Sequence, residues 1–146
     1  MRRFAAAASC ILLLAVVAGA SATIRPARGM AGVSLGMTPA QVQAKLGRPL
    51  AKGGWRWYYT PVTVTFRARR VVEVRTTRRN TERTANGVGL DSTEAQVRAA
   101  LPNAQCAPWS RYRRCRLGSG APGSRVTDFM FGNNGRVIEI TVAQLP

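Results

Sequence analysis

Apolar and polar residues alternate along much of the chain. Val62, Val64 and Phe66 alternate with Thr63, Thr65 and Arg67, and Val72 and Val74 with Val71, Glu73 and Arg75. Further on, Phe129 and Phe131 alternate with Asp128 and Met130, and Ile138, Ile140 and Val142 with Val137, Glu139 and Thr141. A period of two is the pattern of a half-buried strand. Trp55, Trp57 and Tyr59 share one face of an earlier strand, with Arg56 and Tyr58 on the other. Gly132-Asn133-Asn134-Gly135 reads as a hairpin turn, because Gly and Asn accept positive φ.

Two stretches break this rhythm and predict short helices. Thr38 and Thr93 are N-caps, and Gln41 and Gln96, three residues on, complete a capping box in each. Pro39 takes the first helical position, where its missing N–H costs nothing, and Met37 is placed to staple onto Val42. Gly47 with Pro49, and Pro102, stop the helices. Helices this short are unstable alone and must pack through Val42 with Leu46 and Val97 with Leu101.

The two helix signals belong to an internal duplication. Residues 32–46 align without gaps on residues 87–101, with identities that include Gly32/Gly87, Leu35/Leu90, Thr38/Thr93, Gln41/Gln96, Val42/Val97 and Leu46/Leu101. Arg70-Val71-Val72-Glu73-Val74 matches Arg136-Val137-Ile138-Glu139-Ile140 further along. The offset grows between the two matches, which places extra loop in the second copy, over residues 118–124. A duplicated unit of this size is a supersecondary building block. The division is a linker over 23–31, one repeat over 32–79, a polar joint beginning at Arg78, and a second repeat over 86–143. The fold class expected is α+β: two tandem helix-plus-three-strand units forming one antiparallel sheet of about six strands, with the helices on one face.

Residues 1–22 stand outside this plan. Arg2 and Arg3 precede an apolar run from Phe4 to Gly19, and Ala20-Ser21-Ala22 fits a small-x-small cleavage site. This reads as a signal peptide; an uncleaved anchor is the competing reading, against which stands a run that is short for a bilayer. No other segment is long and apolar enough to span a bilayer. The location implied is secreted, or periplasmic and cell envelope. Cys10 lies at the start of the apolar run and not at its end, so it does not mark a lipoprotein.

Without the leader, 124 residues remain, enough to bury roughly 65% of the unfolded surface. Removing Arg2 and Arg3 leaves 20 basic residues against 6 acidic ones, a net charge of +14. Such a balance favours anionic partners: an acidic protein surface, an anionic envelope polymer or lipid, or nucleic acid. Export and the lack of stacking aromatics along one basic strand argue against nucleic acid as the main role. Arginine-rich coding and solubility alone would account for the charge equally well. Cys106 and Cys115 remain after export into an oxidising compartment, so a disulfide is the expected pairing. Free or metal-binding thiols are the alternative, but a chain with no histidine lacks ligands for a zinc site.

The chemistry is bounded by what is missing. With no histidine the commonest general base is gone, and there is no Gly-rich phosphate loop, Cys-x-x-Cys pair or calcium loop. No catalytic residues, metal or cofactor are assigned. Glu73 and Glu139 occupy equivalent positions and are the one candidate acid/base pair, against which stands a solvent-facing role beside Arg67 and Arg75. Trp55, Trp57 and Tyr59 read as core, with a binding stripe as the competing reading. If they are core, Arg56, Tyr58, Arg67, Glu73 and Arg75 face outward, joined by Met130 and Glu139 from the second copy. Arg and Tyr are enriched where proteins recognise proteins.

The run Gly36-Met37-Thr38-Pro39-Ala40-Gln41-Val42-Gln43-Ala44-Lys45-Leu46-Gly47-Arg48-Pro49, followed by an aromatic strand, a hairpin and a closing strand, resembles the small outer-membrane assembly lipoproteins of the SmpA/OmlA (BamE) type. The tandem arrangement is more similar to the secreted β-lactamase inhibitory proteins, which carry two such units. The resemblance implies a non-catalytic role, with a curved sheet backed by helices offering its open face to a partner protein. A disulfide within a unit is common there. The second copy departs from the motif, having Pro102-Asn103 where the Gly and Pro would follow the helix. The function expected is an exported protein-binding module; electrostatic binding to an anionic envelope component is the alternative.

Overall fold

A computed structural model describes residues 23–60, 62–76 and 81–146. The leader expected over 1–22 lies outside the described residues, as does the beginning of the joint. Among the described residues, two sheets and two helices make up the fold. Short strands β1 (Ile24–Arg25), β2 (Gly29–Met30) and β3 (Val33–Ser34) form a three-stranded antiparallel sheet. Helix α1 (Pro39–Leu46) follows, then β4 (Ala51–Gly53), β5 (Arg56–Tyr58), β6 (Thr63–Arg67) and β7 (Arg70–Thr76). Helix α2 (Glu94–Ala100) opens the second half, followed by β8 (Gln105–Trp109), β9 (Tyr112–Leu117), β10 (Arg125–Phe131) and β11 (Val137–Gln144). The main sheet runs β4-β5-β6-β7-β11-β10-β9-β8 and is antiparallel throughout. Among the described residues no helix is long and apolar enough to cross a membrane.

The molecule is therefore mostly β, and the expected pair of helix-plus-three-strand units is wrong. Each half has a helix and four strands, the main sheet has eight strands, and a second sheet is added. The missed strands lack the period-two signal. All three residues of β4 are exposed, so nothing in it alternates. Strand β8 contains Pro108, which argues against a strand except at an edge, and β8 is an edge. In β9 arginine occupies both faces, at Arg113 on one and Arg114 and Arg116 on the other. Residues 23–31, read as a linker, carry β1 and β2, and Ile24 and Met30 are fully buried.

Both capping boxes form. The Thr38 hydroxyl accepts from the Gln41 N–H while the Gln41 side chain accepts from the Thr38 N–H, and Thr93 with Gln96 does the same. Val42 and Val97 are the buried residue of each helix. The loop before each helix is tied to the closing strand of its half by a matched pair of backbone bonds. Gly36 N–H donates to Val71 O and Val71 N–H to Met37 O; Asp91 N–H donates to Val137 O and Val137 N–H to Ser92 O. Gly36 has φ 87° and Asp91 φ 67°, so the second half meets with an aspartate a bend that glycine makes without strain.

Both helices and the small sheet cover one side of the main sheet. That side is built from Val64, Phe66, Val74, Phe129, Ile140 and Val142, with Ile24, Met30, Val33, Val42 and Val97 packed against it. Two β-bulges correct the sequence-based assignment of inward residues. Thr65 pairs with Glu73 but Phe66 with Val71, so Val72 is the extra residue; Met130 pairs with Glu139 but Phe131 with Val137, so Ile138 is the extra residue. The phase shifts there. Val71 and Val137 are buried, whereas Val72 is half-buried and Ile138 exposed.

Candidate functional site

The opposite side of the main sheet is bare over most of its area. Cross-strand register builds it in rows. One row runs Tyr58, Thr63, Arg75, Thr141, Asp128, Arg116, Gln105 across the strands from β5 to β8. A second begins Arg56, Thr65, Glu73, Ala143, and a third sets Glu139 opposite Met130 and Met130 opposite Arg114. All of the residues expected to face outward lie on this side. Arg56 and Tyr58 are exposed on β5, and Met130 is half-buried on β10. Arg67, at the end of β6, is exposed and donates through Nη2 to Gln144 O at 3.4 Å.

Glu73, Arg75 and Glu139 are brought together. Arg75 Nη2 donates to Glu73 at 3.2 Å, and its Nε lies 3.8 Å from Glu139. The Thr65 hydroxyl donates to Glu73 and the Thr141 hydroxyl to Glu139, both at 3.3 Å. The two carboxylates thus bracket a guanidinium, an ionic cross-link rather than an acid and base facing a shared void.

The second half carries a group that sequence reasoning passed over. Arg116 closes on Asp128 with two bonds, Nε to Oδ1 at 2.7 Å and Nη2 to Oδ2 at 2.6 Å. Such bidentate pairs are the well-oriented, stronger class of ion pair. Arg114 Nη1 lies 3.8 Å from Asp128, and the Arg114 guanidinium sits over the Trp109 ring, 3.6 Å from its centroid. With arginine on both faces of β9, no alternation in the sequence reveals this group, and only the register of β9 with β10 joins Arg116 to Asp128.

The aromatic expectation is corrected in part. Tyr59 is buried, and Trp57 packs edge-on against Phe66 with centroids 4.9 Å apart. Trp55 falls in the turn between β4 and β5 and is 69% exposed. It borders a groove of about 620 Å³ at the end of the bare face, lined also by Arg67, Val72, Glu73, Ala143 and Leu145. The bare face is interrupted where Gly118, at φ 107°, lies against Val126; Val126 is fully buried, although its position in β10 points it to this side.

Cys106 and Cys115 are bonded across the β8–β9 pair. Glu94 has an oxygen within 4.8 Å of both sulfurs, but the bonded sulfurs offer no thiolate and Glu94 is taken by Arg98 and Arg113, so the trio is not a metal site in this state.

No protein-family model matches this chain, and no curated protein matches it either. Two solved structures share its architecture. A DUF4309 family protein (YjgB) from Bacillus subtilis superposes with a TM-score of 0.50 at 16% identity, covering 73% of this chain and 78% of that one. An extracellular protein containing a SCP domain from Bacillus anthracis superposes with a TM-score of 0.51 at 10% identity, covering 75% of this chain and 44% of that one. This chain therefore spans less than half of the second protein's length. Neither is described as an outer-membrane assembly lipoprotein or a β-lactamase inhibitor. At these identities the likeness is one of fold: what the chain shares with both is the arrangement of its backbone.

Proposed function

We propose that this chain is an exported, non-catalytic binding module that docks an acidic protein surface on the bare side of its main sheet. The observation that carries this reading is the one-sided covering of the sheet. An eight-stranded sheet with helices and a small sheet on one side only leaves a wide surface rich in arginine and threonine, with tyrosine, tryptophan and three carboxylates among them. Its strands present Arg56, Arg67, Arg75, Arg114 and Arg116 against Glu73, Glu139 and Asp128, a positive excess that suits an acidic partner. Arg75 and Arg116 are held by ion pairs, so less side-chain entropy is lost on docking. The resemblance to the SmpA/OmlA type and to the secreted β-lactamase inhibitory proteins points the same way, as does the apolar leader for export.

A second reading is electrostatic attachment to an anionic envelope polymer or lipid. It draws on charge away from the bare face, where Arg25, Arg28, Lys45 and Arg48 are exposed.

One experiment separates the two. The whole mature chain is immobilised and used to capture proteins from the envelope and medium of the producing cell, beside Arg56→Glu, Arg67→Glu and Arg75→Glu variants. Protein docking predicts a discrete captured partner whose affinity falls by roughly tenfold or more in at least one variant. Capture that withstands all three reversals overturns it. Retention on envelope material that ignores the reversals and collapses with added salt would favour the electrostatic reading.

A further inference from the structure

We propose that the cleft between the β8–β9 hairpin and the Gly118–Gly120 loop is a binding site for an oxyanion, a carboxylate or a phosphate group. The cleft measures about 620 Å³ and is lined by Arg114, Arg116, Gln105, Asn103 and that loop. Its charge is unbalanced. Asp128 engages Nε and Nη2 of Arg116, which leaves Nη1 to face the loop: a Cβ added to Gly120 would lie 3.8 Å from it. Arg114 reaches Asp128 only at 3.8 Å and, among the described residues, donates no hydrogen bond. The two arginine side chains are only 16% and 19% exposed. Two guanidinium groups thus face one carboxylate in a partly dry setting.

A half-buried cation with an incomplete partner favours a bound anion, which offers its free donors charge-assisted bonds. Burial lowers the Arg114 pKa from its ordinary value; Asp128 opposes this and Arg116 adds to it. That is the expected mark of a cation short of compensation. Trp109 holds the guanidinium in place from one side, so its remaining donors are arranged before a ligand arrives. A guanidinium offers several donors in a fixed fork that matches the paired oxygens of carboxylate or phosphate. The site stands whether or not the bare face docks a protein.

The test is a pair of NMR titrations of the full mature chain labelled with nitrogen-15. One arm adds sodium acetate and the other inorganic phosphate, at constant ionic strength, while the Nε–Hε signals of Arg114 and Arg116 and the Gly120 amide are followed. The expected result is a saturable shift confined to these signals. The tighter arm identifies the source of the oxyanion. Arg114→Gln should weaken binding by roughly tenfold or more, the effect of losing a charge-assisted donor pair. Asp128→Asn, which frees the bonded edge of Arg116, should tighten it. Shifts that never saturate, that spread to exposed arginines such as Arg25 and Arg48, or that saturate with unchanged affinity in Arg114→Gln overturn the proposal. Should Arg114→Gln fail to fold, the wild-type titration and Asp128→Asn decide alone.

Discussion

Glu94 shows how one side chain joins a helix to the sheet. It is the first residue of α2, where a carboxylate complements the positive end of the helix. Arg113, from β9, donates to both of its oxygens at 2.7 and 2.8 Å, and Arg98, one turn on, bonds it through Nε and Nη2. Hydrogen bonding to Arg113 is the main reason its pKa falls from 4.5 to about 2; burial opposes the fall and Arg98 adds to it. The folded form therefore prefers the charged carboxylate. The stability this adds is complete above the ordinary value, declines as the pH drops, and is gone once the pH passes below about 2. Arg113 and Arg98 are nearly half exposed, so solvent screening limits the contribution to about 1 kcal/mol or less. Glu94→Gln should be less stable than wild type to urea at pH 7 by that amount, and the gap should close between pH 4.5 and 2. A gap that stays constant over that window would show that lost packing, not charge, is responsible.

The elements differ in how plainly the sequence announces them. Both helices were legible because a capping box is a local device: Thr38 with Gln41, and Thr93 with Gln96, satisfy backbone donors within four residues whatever the rest of the chain does. Strands β6 and β10 were legible through alternation. Strands β4 and β8 were not, since an edge strand owes its existence to its neighbour, and neither Ala51–Gly53 nor a segment containing Pro108 carries a buried stripe. The phase of β7 and β11 was also hidden, because the bulge residues Val72 and Ile138 are apolar like their neighbours, and only the pairing shows which is extra. Of the candidate site, Glu73, Arg75 and Glu139 were placed on one face because repeat alignment and alternation agree there, but the seating of Arg75 between the two carboxylates was not read from the sequence. The Arg114, Arg116 and Asp128 group was not found, since it spans β9 and β10 and only the register joins them. Because the caps are local and equivalent, Thr38→Ala and Thr93→Ala should each cost about 1 kcal/mol in thermal or urea unfolding. A cost several times larger at one site would mean that its helix also anchors long-range structure.

At the scale of the whole molecule, the two halves meet along β7 and β11, which share the register Thr76↔Ile140, Arg75↔Thr141, Val74↔Val142 and Glu73↔Ala143. Two halves with separate cores would be free to unfold separately. Here the core is continuous: Val74 and Val64 from the first half and Val142 and Ile140 from the second belong to one buried cluster, with Met30 and Val33 of the small sheet packed into it. The strands of the small sheet reach both halves, β2 touching β7 and β11 and β3 touching β7. The apolar area that drives folding is thus shared across the junction, which predicts one cooperative transition for the described residues, the behaviour usual for a domain this small. The decisive substitution is Val74→Ala. Val74 is fully buried at the seam, and truncating it removes two methyl groups and leaves a cavity, costing about 2 kcal/mol. If the halves fold as one, the amide signals of Val64 and Ile140 should disappear at the same temperature in wild type, and both midpoints should fall together in the variant. A wild-type melt in which they part, or a variant in which Val64 melts early while Ile140 keeps its original midpoint, would show two separately folding halves joined by four pairs of strand residues.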